Sequence, residues 1–254
     1  MNTTDSHVPP SIKKSLQGMR EVLAIWKSEG ELIELPATNN SFEAGLCIRS
    51  IAEHAIALTR SVLLLAEHEM LLQAVPLIRL TLECGITAAW VSVTPNAVGG
   101  MSYGSAIEER KLIRDMIMLN VPVSDESISL INAKVEGLSR YKSTSSNYKE
   151  RSRSFAGGEL LYLPYRNLSK VSHAGEGIIN QYLNVNDEFA ESEKRFALVT
   201  SPKYEWAEQA LGSQVISLIL ILTAWDDLTK DKPWGAKIQD MADRFQITRT
   251  IRRL

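Results

Sequence analysis

The sequence has 254 residues, of which 44% are hydrophobic and 23% are charged, and its formal net charge is -2. This composition is typical of a globular chain with a sizeable core, and the length fits one domain. The near-neutral charge excludes a global attraction to nucleic acid but leaves room for a local basic patch. The two cysteines, Cys47 and Cys84, lie in apolar stretches without metal-binding spacing. We therefore expect free thiols and neither a metal nor another cofactor.

The distribution of apolar residues predicts the cellular location of the protein. Residues 1–8 are polar and lack the apolar core of a signal sequence. The most apolar region, 51–93, is interrupted by charged residues, and 215–225 is shorter than the roughly 20 apolar residues that a membrane span needs. We therefore expect a cytoplasmic protein with no membrane segment.

Apolar residues recur at helical spacing along most of the chain, whereas strand patterns are few and there is no Gly-rich phosphate loop. Pro76 either kinks the third helix or starts a new one, and Ser201 and Pro202 are the predicted N-cap and first residue of the seventh. The expected fold is a single all-α domain, a bundle of about six to seven main helices with no significant sheet. The predicted helices cover residues 9–29, 41–67, 69–93, 103–119, 125–141, 160–184 and 202–230, with a short helix near the C-terminus.

A basic stretch, about 140–158, separates the fifth and sixth predicted helices. Its serine-rich composition predicts a mobile loop or a frayed helix end. Three of its cations, Lys149, Arg151 and Arg153, are candidate contacts to an RNA backbone. The C-terminal extension, about 231–254, carries three further arginines with the same potential, Arg249, Arg252 and Arg253.

The stretch "YRNLSKVSH", residues 165–173, places Arg166 seven positions before His173. Within one helix this spacing is close to two turns, so both side chains leave the same face, about 10 Å apart along the axis. A histidine can act as general acid or base near neutral pH, and a guanidinium can hold a phosphate through two hydrogen bonds. The pair therefore predicts metal-independent cleavage of a phosphodiester by a ribose 2′-hydroxyl.

With Asn167 after the arginine, this stretch resembles the signature of the HEPN superfamily, in which an arginine and a polar residue precede a histidine. Members of that superfamily are all-helical, and many are ribonucleases of toxin and antiphage systems. The resemblance implies catalytic roles for Arg166 and His173. It also implies a homodimer whose active site is built from both subunits, RNA as substrate, and an antitoxin or another regulatory protein as partner.

A second resemblance covers about the middle half of the chain. The stretch "AVPLIRLTLECGITAAW", 74–90, followed by "YRNLSKVSHAG", is similar to a bacterial family known as domain of unknown function 5677. That family pairs an "LLRxLxE"-type helix with a later "SxxxH" helix, which here correspond to Arg79, Glu83, Ser169 and His173. The resemblance implies no known activity, but it suggests that the two helices share one polar site inside the bundle.

Arg79 and Glu83 lie at positions i and i+4 of an otherwise apolar helix, where charged groups need partners. Together with Asn167 and Ser169, they are expected to form a polar cluster that supports the catalytic pair. A different class of function remains open. The chain can also be a non-catalytic helical binding or regulatory module, in which the same Arg/Glu/His cluster fixes the packing or captures a small ligand.

Overall fold

The computed structural model describes residues 9–28, 39–185, 196–199, 202, 204–229 and 232–254. These residues are mostly helical, as predicted from the sequence, which confirms the all-α fold class. The α-helices are α1 (Pro10–Lys27), α2 (Asn39–Glu67), α3 (Leu71–Val93), α4 (Ala97–Met118), α5 (Asp125–Gly137), α6 (Tyr148–Ser152), α7 (Glu159–Ser172), α8 (Glu176–Ile179), α9 (Ala207–Asp226) and α10 (Gly235–Arg244). One 3-10 helix covers Ser139–Thr144, and two strands, β1 (Leu183–Val185) and β2 (Phe196–Leu198), pair antiparallel.

The core is built around the two most apolar helices, α3 and α9, which pack against each other. Helix α2 lies against both, α1 and α10 pack on α9, and α6 and α7 pack on α3. The contact between α3 and α9 is close at Gly85, where an added Cβ would lie 2.9 Å from the Cα of Ser217. Pro76 does not interrupt α3, which runs through it as one helix.

By length and composition alone, α3 and α9 are also apolar enough to cross a membrane. The protein itself buries 72% of the most apolar window of α3 and 78% of that of α9. Core helices of globular proteins pass the same test, so this property alone does not assign a location.

The basic stretch 140–158, predicted as a mobile loop or a frayed helix end, contains most of a 3-10 helix and the short helix α6. After the 3-10 helix, α6 begins with a capping box: the side chain of Asn147 accepts from the backbone N–H of Glu150, and the Glu150 carboxylate accepts from the N–H of Asn147. This reciprocal pair satisfies two donors that a helix start leaves open. These hydrogen bonds give the segment a local order that its composition did not predict.

Helix α7 is shorter than the predicted helix over 160–184, because it ends at Ser172. His173 already has extended backbone angles, φ -113° and ψ 150°. The chain then folds tightly back over the helix end, and a side chain at Gly177 would collide with the carbonyl oxygen of Lys170. Glycine is therefore required at position 177. The turn leads into the short α8 and then β1.

The predicted start of the last long helix is also wrong, because α9 begins at Ala207 and not at Pro202. The predicted N-cap, Ser201, lies outside the described residues. At its other end the helix closes on Asp226, which is fully buried and not a surface charge. Its carboxylate accepts from the backbone N–H of Trp234 at 2.9 Å and from Nη2 of Arg249 at 2.8 Å.

This ion pair anchors the C-terminal extension, so Arg249 is occupied within the fold and is not an open RNA contact. The extension then returns to the segment between α6 and α7. There the N–H of Ala156 donates to the carbonyl of Arg252 at 2.9 Å, and the N–H of Leu254 donates to the carbonyl of Ser154 at 3.2 Å.

Helices α4 and α5 form an arm that packs around a small separate cluster of Ala106, Ile131 and Val135. The arm also carries several large apolar side chains in solvent-exposed positions. These are Leu112, Ile117, Met118, Leu119, Val121 and Leu130.

Candidate functional site

Three polar residues form a stripe along one face of α3. Arg79, Glu83 and Thr87 follow one another at intervals of four residues, which places them on the same side of a helix. The stripe faces α6 and α7, whereas the opposite side of α3 packs on α9 and α2. Exposure falls along it, since the side chain of Arg79 is 24% exposed and that of Glu83 is 10% exposed.

Arg79 joins the stripe to His173. Its Nη2 donates to Oε1 of Glu83 at 2.7 Å, and its Nη1 lies 3.5 Å from Nε2 of His173. A guanidinium can only donate, so Nε2 of His173 is the acceptor in any hydrogen bond between the two groups. His173 itself is exposed. The site therefore presents to solvent an imidazole beside a fixed positive charge.

Tyr165 on α7 lies under the same guanidinium, with the Arg79 Cζ 5.4 Å from the ring centroid. Burial lowers the pKa of Arg79, but its contacts with Tyr165 and Glu83 together outweigh that effect and raise it. The Tyr165 ring stacks on Tyr162 at 5.6 Å between centroids and 24° between planes, and it meets Tyr148 at 5.6 Å and 40°. Three tyrosines thus adjoin the Arg79–His173 pair.

The deeper end of the site contains Tyr148 and Arg151 of α6. Burial and then the nearby Glu83 carboxylate raise the pKa of Tyr148 to about 12, so its phenol stays protonated at neutral pH. Arg151 donates through Nη1 to the hydroxyl of Thr87 at 3.1 Å, and its guanidinium lies 4.7 Å from the ring of Trp90. Burial lowers the pKa of Arg151, against the opposing influence of Tyr148, Cys47 and Glu83.

The site has more donors than acceptors. Arg79 and Arg151 place two guanidinium groups around the single Glu83 carboxylate, and among the described residues Arg151 makes no ion pair. The Nε of Arg79 is buried and has no hydrogen-bond partner in the described part of the chain. An excess of positive charge with an unused N–H donor favours an anionic ligand.

The arginine that contacts His173 in the structure is Arg79 and not the Arg166 that the sequence analysis paired with it. Arg166 is exposed and, within the described residues, makes no hydrogen bond or ion pair. It follows Tyr165 by one residue, which is about 100° around the helix, so it leaves a different side of α7. His173 is the first residue past the end of α7, and its side-chain contact is with Arg79 and not with Arg166. Arg79 lies beside His173, in the position that the sequence analysis predicted for Arg166.

Among the described residues, neither of the two expected supporting residues of α7 makes a side-chain hydrogen bond to the cluster. Asn167 is exposed. Ser169 lies on the Tyr165 side of the helix, but its hydroxyl donates to the carbonyl of Tyr165 at 2.8 Å, within its own helix. Of the expected supporting group, the structure therefore places Arg79 and Glu83 in the cluster.

The three predicted RNA contacts of the basic stretch have different surroundings. Lys149 is exposed. Arg153 forms a surface ion pair with Glu159 at 3.0 Å. Arg151 points inward to Thr87 and Trp90, so its place is in the site and not on a flexible basic loop.

The sequence analysis missed the tyrosines, although a signal for two of them was present. Tyr162, Tyr165, Ser169 and His173 follow at spacings of three, four and four, which is the pattern of one helix face. This face meets the Arg79 stripe. Tyr148 could not be found in the same way, because it comes from a helix that the composition did not predict.

Both cysteines are free, as expected. Burial, together with the charge of Glu83, raises the pKa of Cys84 to about 12, and burial raises that of Cys47 against the opposing effect of Arg151. Both thiols are therefore protonated and poor nucleophiles at neutral pH. Across the described ranges, no three His, Cys, Asp or Glu side chains come together in a way that would hold a metal ion.

The family comparison covers the whole of this site. The model of a family of unknown function, DUF5677, matches residues 46–191, which is more than half of the chain. The matched region runs from α2 to the residues after β1 and includes Arg79, Glu83, Tyr148, Tyr165 and His173. No curated protein and no solved structure matches the chain.

Proposed function

Since the chain belongs to the DUF5677 family of unknown function, its own residues must indicate its activity, and we propose that it is a metal-independent endoribonuclease. It would be HEPN-like in its chemistry and of the toxin or antiphage-defence type. One observation carries the proposal. An exposed His173 presents Nε2 next to the guanidinium of Arg79, which Glu83 holds from behind at 2.7 Å.

The groups of this site suit attack by a ribose 2′-hydroxyl on the adjacent phosphorus. Nε2 of His173 accepts the hydroxyl proton, the O2′–P bond forms and the P–O5′ bond breaks. The leaving 5′-oxygen takes a proton from water, and the imidazolium returns its proton to solvent. The products are a 2′,3′-cyclic phosphate and a 5′-hydroxyl. A positioned base of this kind contributes about 10²–10⁴-fold in rate.

Arg79 supplies the positive charge that this reaction needs. The phosphate gains negative charge in the transition state, and a guanidinium fixed by a carboxylate can receive it without reorganising. Substrate would enter between Arg79 and His173, whose contact of 3.5 Å is at the long end of hydrogen bonding. The phosphate oxygens and the hydroxyl then replace that contact.

The proposal includes a homodimer through α7. Leu160 and Leu163 are 72% and 62% exposed, and they share a helix face with Asn167 at spacings of three and four residues. Apolar side chains grouped on an outer helix face are typical of protein interfaces. We therefore propose this outer face of α7 as the contact between the two copies.

The alternative, a non-catalytic binding or regulatory module, is favoured by a different observation. Glu83 is almost fully buried and lies between Arg79 and the Tyr148–Arg151 pair, as in a structural ion pair or a pocket for a small anion. Under this alternative the cluster serves packing or ligand capture, and His173 has no chemical role. Its exposure makes a purely structural role weak.

Cleavage of a mixed RNA pool in the presence of EDTA distinguishes the ribonuclease from the binding module. We expect wild type to cleave, and His173→Ala and Arg79→Ala to lose at least about 100-fold in rate. Arg166→Ala is the matched control, because it removes an exposed arginine from another side of α7 and should leave the rate within about twofold. No cleavage by wild type, or full activity of His173→Ala, would favour the binding module.

A further inference from the structure

We propose that Tyr162 and Tyr165 form a stacking platform for a nucleobase and that the substrate is single-stranded RNA. This inference rests on the proposed ribonuclease function and names its substrate class. It comes from the order of groups along the α7 face. Going along that face, the Tyr162 ring is followed by the Tyr165 ring, the Arg79 guanidinium and the His173 imidazole.

The spacing of these groups matches the parts of a nucleotide chain. The rings of Tyr162 and Tyr165 stack at 5.6 Å, the Arg79 guanidinium lies 5.4 Å from the Tyr165 ring, and Nη1 lies 3.5 Å from Nε2 of His173. A base stacked on the outer tyrosine would therefore be followed by its phosphate at the arginine and by the attacking hydroxyl at the histidine. Aromatic rings beside a cation are the usual means of holding unpaired bases.

Tyr162 is the outer member of this row. Its ring is half-buried and contacts Tyr165, and its hydroxyl makes no hydrogen bond with any other described residue. A tyrosine buried for packing usually finds a partner for its hydroxyl. Tyr165 differs, because it already interacts with Arg79 and Tyr148. The open position for an incoming base is therefore on the Tyr162 side.

The platform selects single strands for a physical reason. In a duplex each base is stacked between its neighbours and its faces cannot be reached, whereas unpaired bases can be splayed onto aromatic side chains. Stacking also tolerates any sequence, because every base has a π face, and it favours purines through their larger area. We therefore expect preference for unpaired, purine-containing RNA over duplex RNA.

The test is binding of a purine-rich, single-stranded oligonucleotide whose 2′-O-methyl groups block cleavage, measured with full-length protein. One adenine is replaced by a fluorescent analogue whose emission is quenched by stacking. We expect Tyr162→Leu to weaken binding about tenfold or more and to abolish the quenching. Tyr162→Phe keeps the ring and should stay within about twofold of wild type. Tyr103→Leu, at a half-buried tyrosine of α4, is the matched control and should bind as wild type does.

Three results would overturn the platform: no binding of the single strand by wild type, equal binding by wild type and Tyr162→Leu, or equal affinity for duplex and single strand. Melting curves of both leucine variants establish that they are folded, and the comparison of single-stranded with duplex RNA on wild type decides the matter if Tyr162→Leu is not. The outcome is distinct from that of the cleavage assay. If binding depends on Tyr162 but no RNA is cleaved, the platform stands and the ribonuclease proposal fails. If RNA is cleaved and Tyr162→Leu does not affect cleavage, the ribonuclease proposal stands and the platform fails.

Discussion

Arg79 and His173 meet across the α3–α7 interface although they are 94 positions apart in the chain, with 3.5 Å between Nη1 and Nε2. The two side chains are positioned in different ways. Arg79 is held by Glu83 one turn further along α3, and His173 is the first residue past the end of α7. A rigid cation next to a histidine at a helix end gives one fixed and one adaptable group, which suits a site that admits substrate between them.

The Arg79–Glu83 pair should matter for stability much more than a second pair with the same spacing. Arg49 and Glu53 also form an i, i+4 ion pair, but the side chain of Glu53 is 52% exposed whereas that of Glu83 is 10% exposed. Glu83→Gln should lower the free energy of unfolding by about 1–3 kcal/mol, because it leaves two guanidinium groups without a counter-charge. Glu53→Gln should change it by less than about 0.5 kcal/mol. Urea unfolding of both variants checks this. Equal changes in unfolding free energy would mean that the buried Glu83 stabilises the fold no more than the exposed Glu53 does.

Gly85 should be sensitive to the addition of a single methyl group. Its Cβ would lie 2.9 Å from the backbone of Ser217, so Gly85→Ala forces α3 and α9 apart and should cost about 1–3 kcal/mol of unfolding free energy. Gly212 of α9 has no atom within 4 Å of the same position. Gly212→Ala should therefore stabilise by about 0.5–1 kcal/mol through helix propensity. Thermal unfolding of the two variants gives the comparison, and a neutral Gly85→Ala would rule out the close crossing.

The ion pair between Asp226 and Arg249 predicts a stability effect that depends on pH. Burial raises the pKa of Asp226, and the N–H of Trp234 and the charge of Arg249 oppose that rise. Arg249→Ala removes one opposing influence, so the folded-state pKa rises further above the unfolded one. The folded state then holds the proton more tightly, and the unfolding free energy falls as pH rises between the two values.

The variant should therefore lose about 3 kcal/mol at neutral pH and clearly less at about pH 4. Denaturant titrations of wild type and Arg249→Ala at both pH values measure the difference. Arg253→Ala, which removes an exposed arginine of the same extension, should show no such dependence. A loss that is constant with pH would mean that Asp226 does not titrate in response to Arg249.

The proposed dimer predicts which surface controls the oligomeric state. Leu163→Asp places a charge on the exposed face of α7 and should convert a dimer into a monomer in analytical ultracentrifugation. Leu119 at the tip of α4 is 75% exposed, so Leu119→Asp is the matched change on the α4–α5 arm and should leave the dimer intact. The opposite pattern would place the interface on the arm, and a monomeric wild type would remove the dimer from the proposal.

The helical fold and the shared position of Arg79 and Glu83 on one face of α3 could be predicted from the sequence. Helical periodicity is a strong signal for long helices such as α2 and α3, and the spacing of Arg79 and Glu83 placed both on one face. The ends of helices depend on weaker local features. The chain turns back tightly at Gly177, just past the end of α7, and the capping box at Asn147 begins α6 within a stretch whose composition suggested a loop or a frayed helix end.

The contact of His173 with Arg79 could not be predicted from the sequence, for a related physical reason. A pairing of Arg166 with His173 assumes one continuous helix and considers only residues close in sequence. The contact with Arg79 depends instead on how α7 packs on α3, which periodicity within one helix does not determine. The role of the stacked tyrosines could not be predicted either. It depends on the guanidinium that α3 places over Tyr165, which only the packing of the two helices shows.

The central claim is that Arg79 and His173 direct a ribose 2′-hydroxyl at its neighbouring phosphate without a metal. Its most direct test uses a single-stranded DNA oligonucleotide with one ribonucleotide, incubated in EDTA with wild type or with His173→Ala, followed by analysis of the product ends. The account predicts one cut, at the ribonucleotide, that leaves a 2′,3′-cyclic phosphate and a 5′-hydroxyl with wild type and is absent with His173→Ala. No cut with wild type, or the same cut with folded His173→Ala, would contradict it.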